Sequence, residues 1–158
     1  MRSADRLECE AFGMSPKEAL RSSWRRSIYA VTAKLDGRPE AMFGLSAISM
    51  IEGRGSPWFL GTDVVTRSGR ALVELGPGLL ARMHATCSTL ENRVARQNWA
   101  AIKMLRHWGF HIGGDVTVIR GIEFLPFSRT ACPLDAAPLP TRPTKQSRRR
   151  PLTLCGNI

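Results

Sequence analysis

Asn98–Phe110 reads NWAAIKMLRHWGF. Asparagine at its head is a residue type that caps helices, and the run then holds apolar residues at Ala101, Met104, Leu105 and Trp108. Spacings of 3, 4 and 7 put these on one face of a helix, while Lys103, Arg106 and His107 fall on the other. Gly109 supplies the left-handed turn that closes a helix, and Phe110 opens an apolar strand. A helix of about three turns, started by asparagine and stopped by Gly-Phe before a strand, is predicted.

Upstream, Ser15-Pro16-Lys17-Glu18 forms a capping box with proline at the first helical position, and the helix is predicted to run to about Trp24. Ala19, Leu20 and Trp24 are its expected inner face. Ile28–Leu35 reads as a strand, Asp36-Gly37 as a tight hairpin turn, and Glu40–Met50 as the antiparallel partner. A turn at Gly53–Ser56 leads to a third strand expected over Pro57–Thr66. Arg70–Cys87 has helical periodicity with Gly76-Pro77-Gly78 in its middle, so the helix is either kinked there or begins at Pro77. Thr89–Ala95 reads as a short strand before the Asn98 helix. Ile112–Phe127 supplies one or two closing strands, with a break near Arg120-Gly121. No internal repeat is present. Helix, hairpin, strand, helix, strand, helix, strand is an α+β order, with a meander first and a β-helix-β crossover later.

The 158 residues suit one domain able to bury a core without staples. Hydrophobic residues at 43% and charged residues at 23% fit a soluble globular protein. No apolar run reaches the roughly 18–20 residues of a membrane span, and MRSADRLECE lacks a signal-peptide stretch, so no membrane partner and a cytoplasmic location are expected. Cys9, Cys87, Cys132 and Cys155 form no CxxC pair and have no histidine at ligand spacing, which argues against a zinc site and a disulfide framework. Net charge is +10, of which +4 lies from Cys132 onward (Arg142, Lys145, Arg148, Arg149 and Arg150 against Asp135). Aromatic residues are not interleaved with that basic run, so nucleic acid is expected only as a nonspecific partner of the tail. Residues 1–129 are read as the domain. Residues 130–158 hold five of the ten prolines and little apolar periodicity, and are expected to be a disordered basic tail.

The segment N-x-x-A followed by Gly-Phe at Asn98–Phe110 resembles the second cofactor-binding helix of the GNAT superfamily of N-acetyltransferases. A second resemblance lies at Thr66-Arg67-Ser68-Gly69-Arg70-Ala71, where the Gly-x-Ala half of the family's pyrophosphate loop is present, with threonine at the position usual for glutamine or arginine. Glycine lets backbone close on a phosphate, and Arg67 and Arg70 add positive charge. The stretches AKLDGRPEAMFGL, PWFLGTDVV and LENRVARQNWAAIKMLRHWGF are similar to a phage and prophage branch that includes the internal virion protein A of T7-like phages. The resemblance covers about Ala4 to Phe127.

It implies a three-layer fold, with a mixed, mainly antiparallel sheet flanked by helices. The family's first strand is expected to be missing, RSADRLECEAFG resembling the middle of the region that follows it. It implies acetyl-CoA as cosubstrate and an unidentified amine as acceptor. Leu60, Gly61, Thr62, Asp63, Val64 and Val65 would position the pantetheine arm along a splayed strand, and Thr66–Ala71 the phosphates. Asn98 matches the family's helix-opening asparagine, and Asn92 on the preceding strand is a candidate to face the same cleft. The family's tyrosine acid, four residues before Gly-Phe, is replaced by Leu105, so no catalytic acid is assigned. Glu40, Asp63 and Glu91 are general-base candidates that spacing does not separate from surface carboxylates, and His84, His107 and His111 read as surface residues. Two functions follow: acetyl transfer to an amine by direct attack, or a catalytically inactive virion or morphogenesis protein, with phage structural proteins as partners, that keeps the fold.

Overall fold

The computed structural model describes residues 1–132 and 152–157. The chain opens with helices α1 (Ser3–Ala11) and α2 (Pro16–Arg26), then the meander β1 (Ser27–Leu35), β2 (Arg38–Ser49) and β3 (Arg54–Gly61). A short helix α3 (Asp63–Arg67) and the long α4 (Gly69–His84) lead to β4 (Thr89–Ala95) and α5 (Trp99–His107). Strands β5 (His111–Ile112), β6 (Thr117–Ile119), β7 (Ile122–Thr130) and β8 (Leu152–Asn157) complete the described elements.

The local signals act as physical chemistry requires. Ser15 Oγ accepts from the Glu18 amide at 3.3 Å, and the Glu18 carboxylate accepts from the Ser15 amide at 2.9 Å, so two orphan donors of α2 are met reciprocally. Asp36 and Gly37 both take positive φ, the backbone of a two-residue hairpin turn. Asn98 Oδ1 accepts from the Ala101 amide at 3.3 Å and starts α5, which Gly109 ends at φ +78°.

The strands form one mixed sheet in the order β5-β7-β4-β3-β2-β1-β8, with β6 also on β7. Every pair is antiparallel except β3 with β4. That parallel pair is matched only at Arg54 with Thr89 and Gly55 with Leu90, and beyond these residues the two strands splay apart. The expected α+β three-layer sheet flanked by helices is the architecture found. Its main core joins Val31, Phe43 and Leu45 of the meander to Leu72, Leu79, Leu80 and Met83 of α4 and to Ile102, Leu105 and Trp108 of α5. A smaller cluster of Ala11, Ala95 and Phe124 lies on the opposite face.

Several local expectations are corrected. The third strand stops at Gly61, and Asp63–Arg67 is helical, with Val65 in the core and Val64 facing out. Of the two readings left open at Gly76-Pro77-Gly78, the late start does not hold: helix α4 runs through Pro77. Pro77 is exposed, so the Val73 carbonyl that loses its amide partner faces the solvent side. Gly76 is required by packing, since a Cβ there would lie 2.2 Å from Trp108 Nε1. On α2, Ala19 is buried and Leu20 partly so, but Trp24 is half-exposed. The SADRLECEA segment, which sequence patterning did not mark as an element, is helix α1.

A further correction concerns the tail. Residues 152–157 are not disordered but form β8, antiparallel to β1 from Ala30 with Asn157 to Leu35 with Leu152. An unpaired edge leaves a row of donors and acceptors open, and β8 covers this one. The remainder of the expected tail, 133–151 and 158, lies outside the described residues, as does the basic cluster within it.

Candidate active site

The splay between β3 and β4 opens a cleft of about 190 Å³ whose walls include Phe43, Phe59, Val94, Met104, Leu105 and Trp108. Backbone groups alternate in direction along a strand. Thr62 donates its amide to Glu40 O on β2 at 2.8 Å, so residues of the other parity, Phe59 and Gly61 with amide and carbonyl and Pro57 with its carbonyl alone, face the splay. Asn92 spans the cleft at its closed end: its Nδ2 donates to Pro57 O at 2.9 Å, and its Oδ1 accepts from the Arg93 amide at 2.8 Å.

At the open end the strand edges are met by α1. The Gly61 amide donates to Asp5 Oδ2 at 3.0 Å, and Gly61 O accepts from the Arg2 amide at 2.8 Å. Arg2 Nε also donates to Asp5 at 2.9 Å, and its guanidinium lies 4.9 Å from the centre of the Phe59 ring. Asp5 is only 2% exposed. One turn on, Glu8 Oε1 accepts from the Ala95 amide of β4 at 3.1 Å and from Asn98 Nδ2 at 2.8 Å. Burial pushes the Glu8 carboxyl above its ordinary range, against the lowering effect of the bonds from Asn98 and Ala95. The neighbouring Cys9 thiol is pushed up to about 11 by burial, with Asp5 and Glu8 adding to the shift. Helix α1 therefore runs through the sheet: Arg2 meets Phe59 on the face of α4 and α5, and Phe12 stacks 5.2 Å from Phe124 on the other.

The anticipated phosphate segment lies at the next corner. Thr66 and Arg67 end α3, Ser68 precedes α4, and Gly69, Arg70 and Ala71 make its first turn. Ser68 gives no side-chain cap, and the first-turn amides of a helix have no intrahelical acceptor. A Cβ on Gly69 would meet nothing within 4 Å. Arg67 and Arg70 are exposed, and Arg70 Nε reaches Glu74 at 3.3 Å.

Tested against a CoA-type ligand, the two ends differ. The phosphate end offers an open helix N-terminus with arginines beside it, which fits. The arm end does not fit as it stands, because the edge of Gly61 is already bonded to Arg2 and Asp5. Of the anticipated arm residues, Leu60 and Gly61 lie on β3, and Thr62 is tied to Glu40 through both amide and hydroxyl. Asp63, Val64 and Val65 belong to α3. Asn92 and Asn98 do face the cleft, but each spends its amide group within the protein.

The general-base candidates scatter. Glu40 accepts from Thr62, Asp63 is exposed on the first turn of α3, and Glu91 pairs with Arg54 beside a second hollow of about 470 Å³ that also includes His111. His107 and His111 are exposed, and His84 Nδ1 is 3.0 Å from Cys87 O. Leu105 is buried in the cleft wall with no proton to give. The acids that do reach the cleft, Asp5 and Glu8, were missed. Their signal was the three-residue spacing of Arg2, Asp5 and Glu8, which places them along one helix face.

No protein-family model matches the chain, and no curated protein matches it. Solved structures do. Mycobacterium smegmatis RimJ in complex with CoA-disulfide superposes with a TM-score of 0.56 at 20% identity, over 72% of this chain and 58% of that one. The chain thus spans less than two thirds of that protein. A ribosomal-protein-alanine N-acetyltransferase from Brucella melitensis gives 0.54 at 16% identity, over 73% and 76%. A Bacillus subtilis acetyltransferase in complex with CoA gives 0.56 at 10% identity, over 74% and 85%. With its sheet, splay and crossover helices in this arrangement, the chain has the fold of the GNAT acetyltransferases.

Proposed function

We propose that this protein binds acetyl-CoA and transfers the acetyl group to an amine, as a member of the phage and prophage branch that its sequence resembles, acting in the cytoplasm of a bacterial host. The observation that carries the reading is the splay of β3 from β4, walled by α4 and α5 and leading to the open N-terminus of α4. Gly69, Arg70 and Ala71, with Arg67, would hold the phosphates, and the β3 edge at Phe59 and Gly61 would line the arm. Acetyl-CoA, when bound, supplies an activated thioester. The chain's own part is to orient the arm on the strand edge and to keep water from the apolar walls at Phe43, Phe59 and Trp108. Calorimetric titration with acetyl-CoA tests it: saturable heat is expected, and no heat at millimolar ligand overturns it.

A second reading, an inactive virion or morphogenesis component that keeps the fold, is favoured by Leu105. This side chain stands at the position of the family's tyrosine acid, is buried, and carries no hydroxyl. Thiol release from acetyl-CoA in the presence of polyamines and peptides separates the two. Turnover supports the transferase, and binding without turnover supports the inactive scaffold.

A further inference from the structure

We infer that helix α1 is an internal occupant of the cleft, and that the arm of a CoA-type ligand enters only when α1 leaves. The inference rests on the CoA-binding reading and goes beyond it, because it makes the ligand-free protein closed. Asp5 accepts from the Gly61 amide at 3.0 Å and Glu8 accepts from the Ala95 amide at 3.1 Å. One carboxylate therefore serves the last residue of β3 and the other the last residue of β4. Carboxylate oxygens here take the strand amides that the carbonyl groups of an amide-containing arm would need. The Arg2 amide takes the matching carbonyl of Gly61 at 2.8 Å. A ligand lying along this edge and α1 in its present place are mutually exclusive, since each needs the same donor and acceptor.

The helix is also built to be removable. No residue of α1 belongs to the main core cluster, whose members come from the sheet, α3, α4 and α5. Its buried side chains are Asp5, Cys9 and Ala11, two small residues and one acid held by hydrogen bonds. Withdrawing it uncovers the smaller cluster at Ala95 and Phe124 but removes no member of the main cluster that packs α4 and α5. At nine residues it is too short to persist as an isolated helix in water, so its release would be an unfolding of residues 3–11. Only residues 12–15 separate it from α2, and Gly13 among them sits at φ +76°, a position where the chain already turns sharply. Apparent affinity for a ligand that needs the open form is the intrinsic affinity multiplied by the fraction of molecules that are open. Loosening α1 should therefore tighten binding, although it adds no contact to the ligand.

The test uses the full chain, with acetyl-CoA as probe. Calorimetry on the unaltered protein and on Asp5→Ala should show the variant binding about tenfold tighter or more, the scale of one lost hydrogen bond to a charged group. Amide hydrogen exchange across Ser3–Ala11 in the unaltered protein should speed up at saturating acetyl-CoA. Equal or weaker binding by a folded Asp5→Ala, or exchange in α1 that is unchanged or slowed by ligand, overturns the inference and leaves the CoA reading standing. Absence of binding by both proteins overturns the two together. If Asp5→Ala does not fold, the exchange measurement on the unaltered protein decides alone.

Discussion

The two ends of the cleft are made differently. At the end proposed to hold the phosphates, Gly69–Ala71 form the first turn of α4, with no side-chain cap from Ser68, open space where a Cβ on Gly69 would lie, and exposed arginines. At the arm end, Gly61, Ala95 and Asn98 are bonded to carboxylates from α1, and Trp108 is pressed against Gly76. One end is kept open by local backbone geometry alone. The other is filled by a segment distant in sequence, Asp5 being 56 residues from Gly61. The proposed arm site is thus occupied by its own chain.

Glycine substitutions should show the contrast most sharply. A methyl at Gly76 collides with the Trp108 ring, so Gly76→Ala should cost about 1–3 kcal/mol, read as a lowered denaturation midpoint with unchanged slope. If its stability is unaltered, the wall at the filled end is not packed as described.

A middle-sized effect is expected at Glu8. Burial raises its pKa in the folded state above the ordinary 4.5, so the folded protein holds this proton more firmly than the unfolded chain. The contribution to stability is full below that ordinary value and is lost as pH rises through the raised one. Glu8→Gln, which keeps an oxygen acceptor for Ala95 and Asn98, should flatten this fall in chemical denaturation across the acidic range. A pH profile identical to that of the unaltered protein would show that Glu8 is not desolvated.

The smallest effect belongs to the open end. Gly69→Ala should change stability by less than about 0.5 kcal/mol, as expected for a position free of neighbours. Gly69→Trp should be similarly stable yet lose acetyl-CoA affinity, because the bulky ring would cover the first-turn amides. Full affinity in Gly69→Trp would move the phosphates elsewhere.

What the sequence made legible follows the same division. Signals confined to a few neighbouring residues were readable: the Ser15–Glu18 box, the Asp36-Gly37 turn, the Asn98 cap, the Gly109 stop and the Gly-x-Ala segment. Each depends on φ or on a capping oxygen within reach of its own turn. Features decided by distant partners were not. Asp5 and Glu8 look like solvent-facing acids until β3 and β4 are brought to either side of them. Asp63–Arg67 carries paired valines and reads as strand, but Val65 is claimed by the core in a helical turn. Leu152–Asn157 has too few apolar residues to announce a strand, and its order comes from the free edge of β1. Gly76-Pro77-Gly78 leaves a kinked helix and a late start both open in the sequence, because the Trp108 ring that needs the space lies at the end of another helix.

The claim on which the rest depends is that α1 closes the strand edges of the ligand-free protein. Residue-resolved amide exchange by NMR measures it at Gly61 and Ala95. In the unaltered chain both amides should be protected, and Asp5→Ala should release Gly61 while leaving the Val31 and Phe43 amides of the core protected. Rapid exchange at Gly61 and Ala95 in the unaltered, folded protein would contradict the account, because the edge would then be free and the cleft already open.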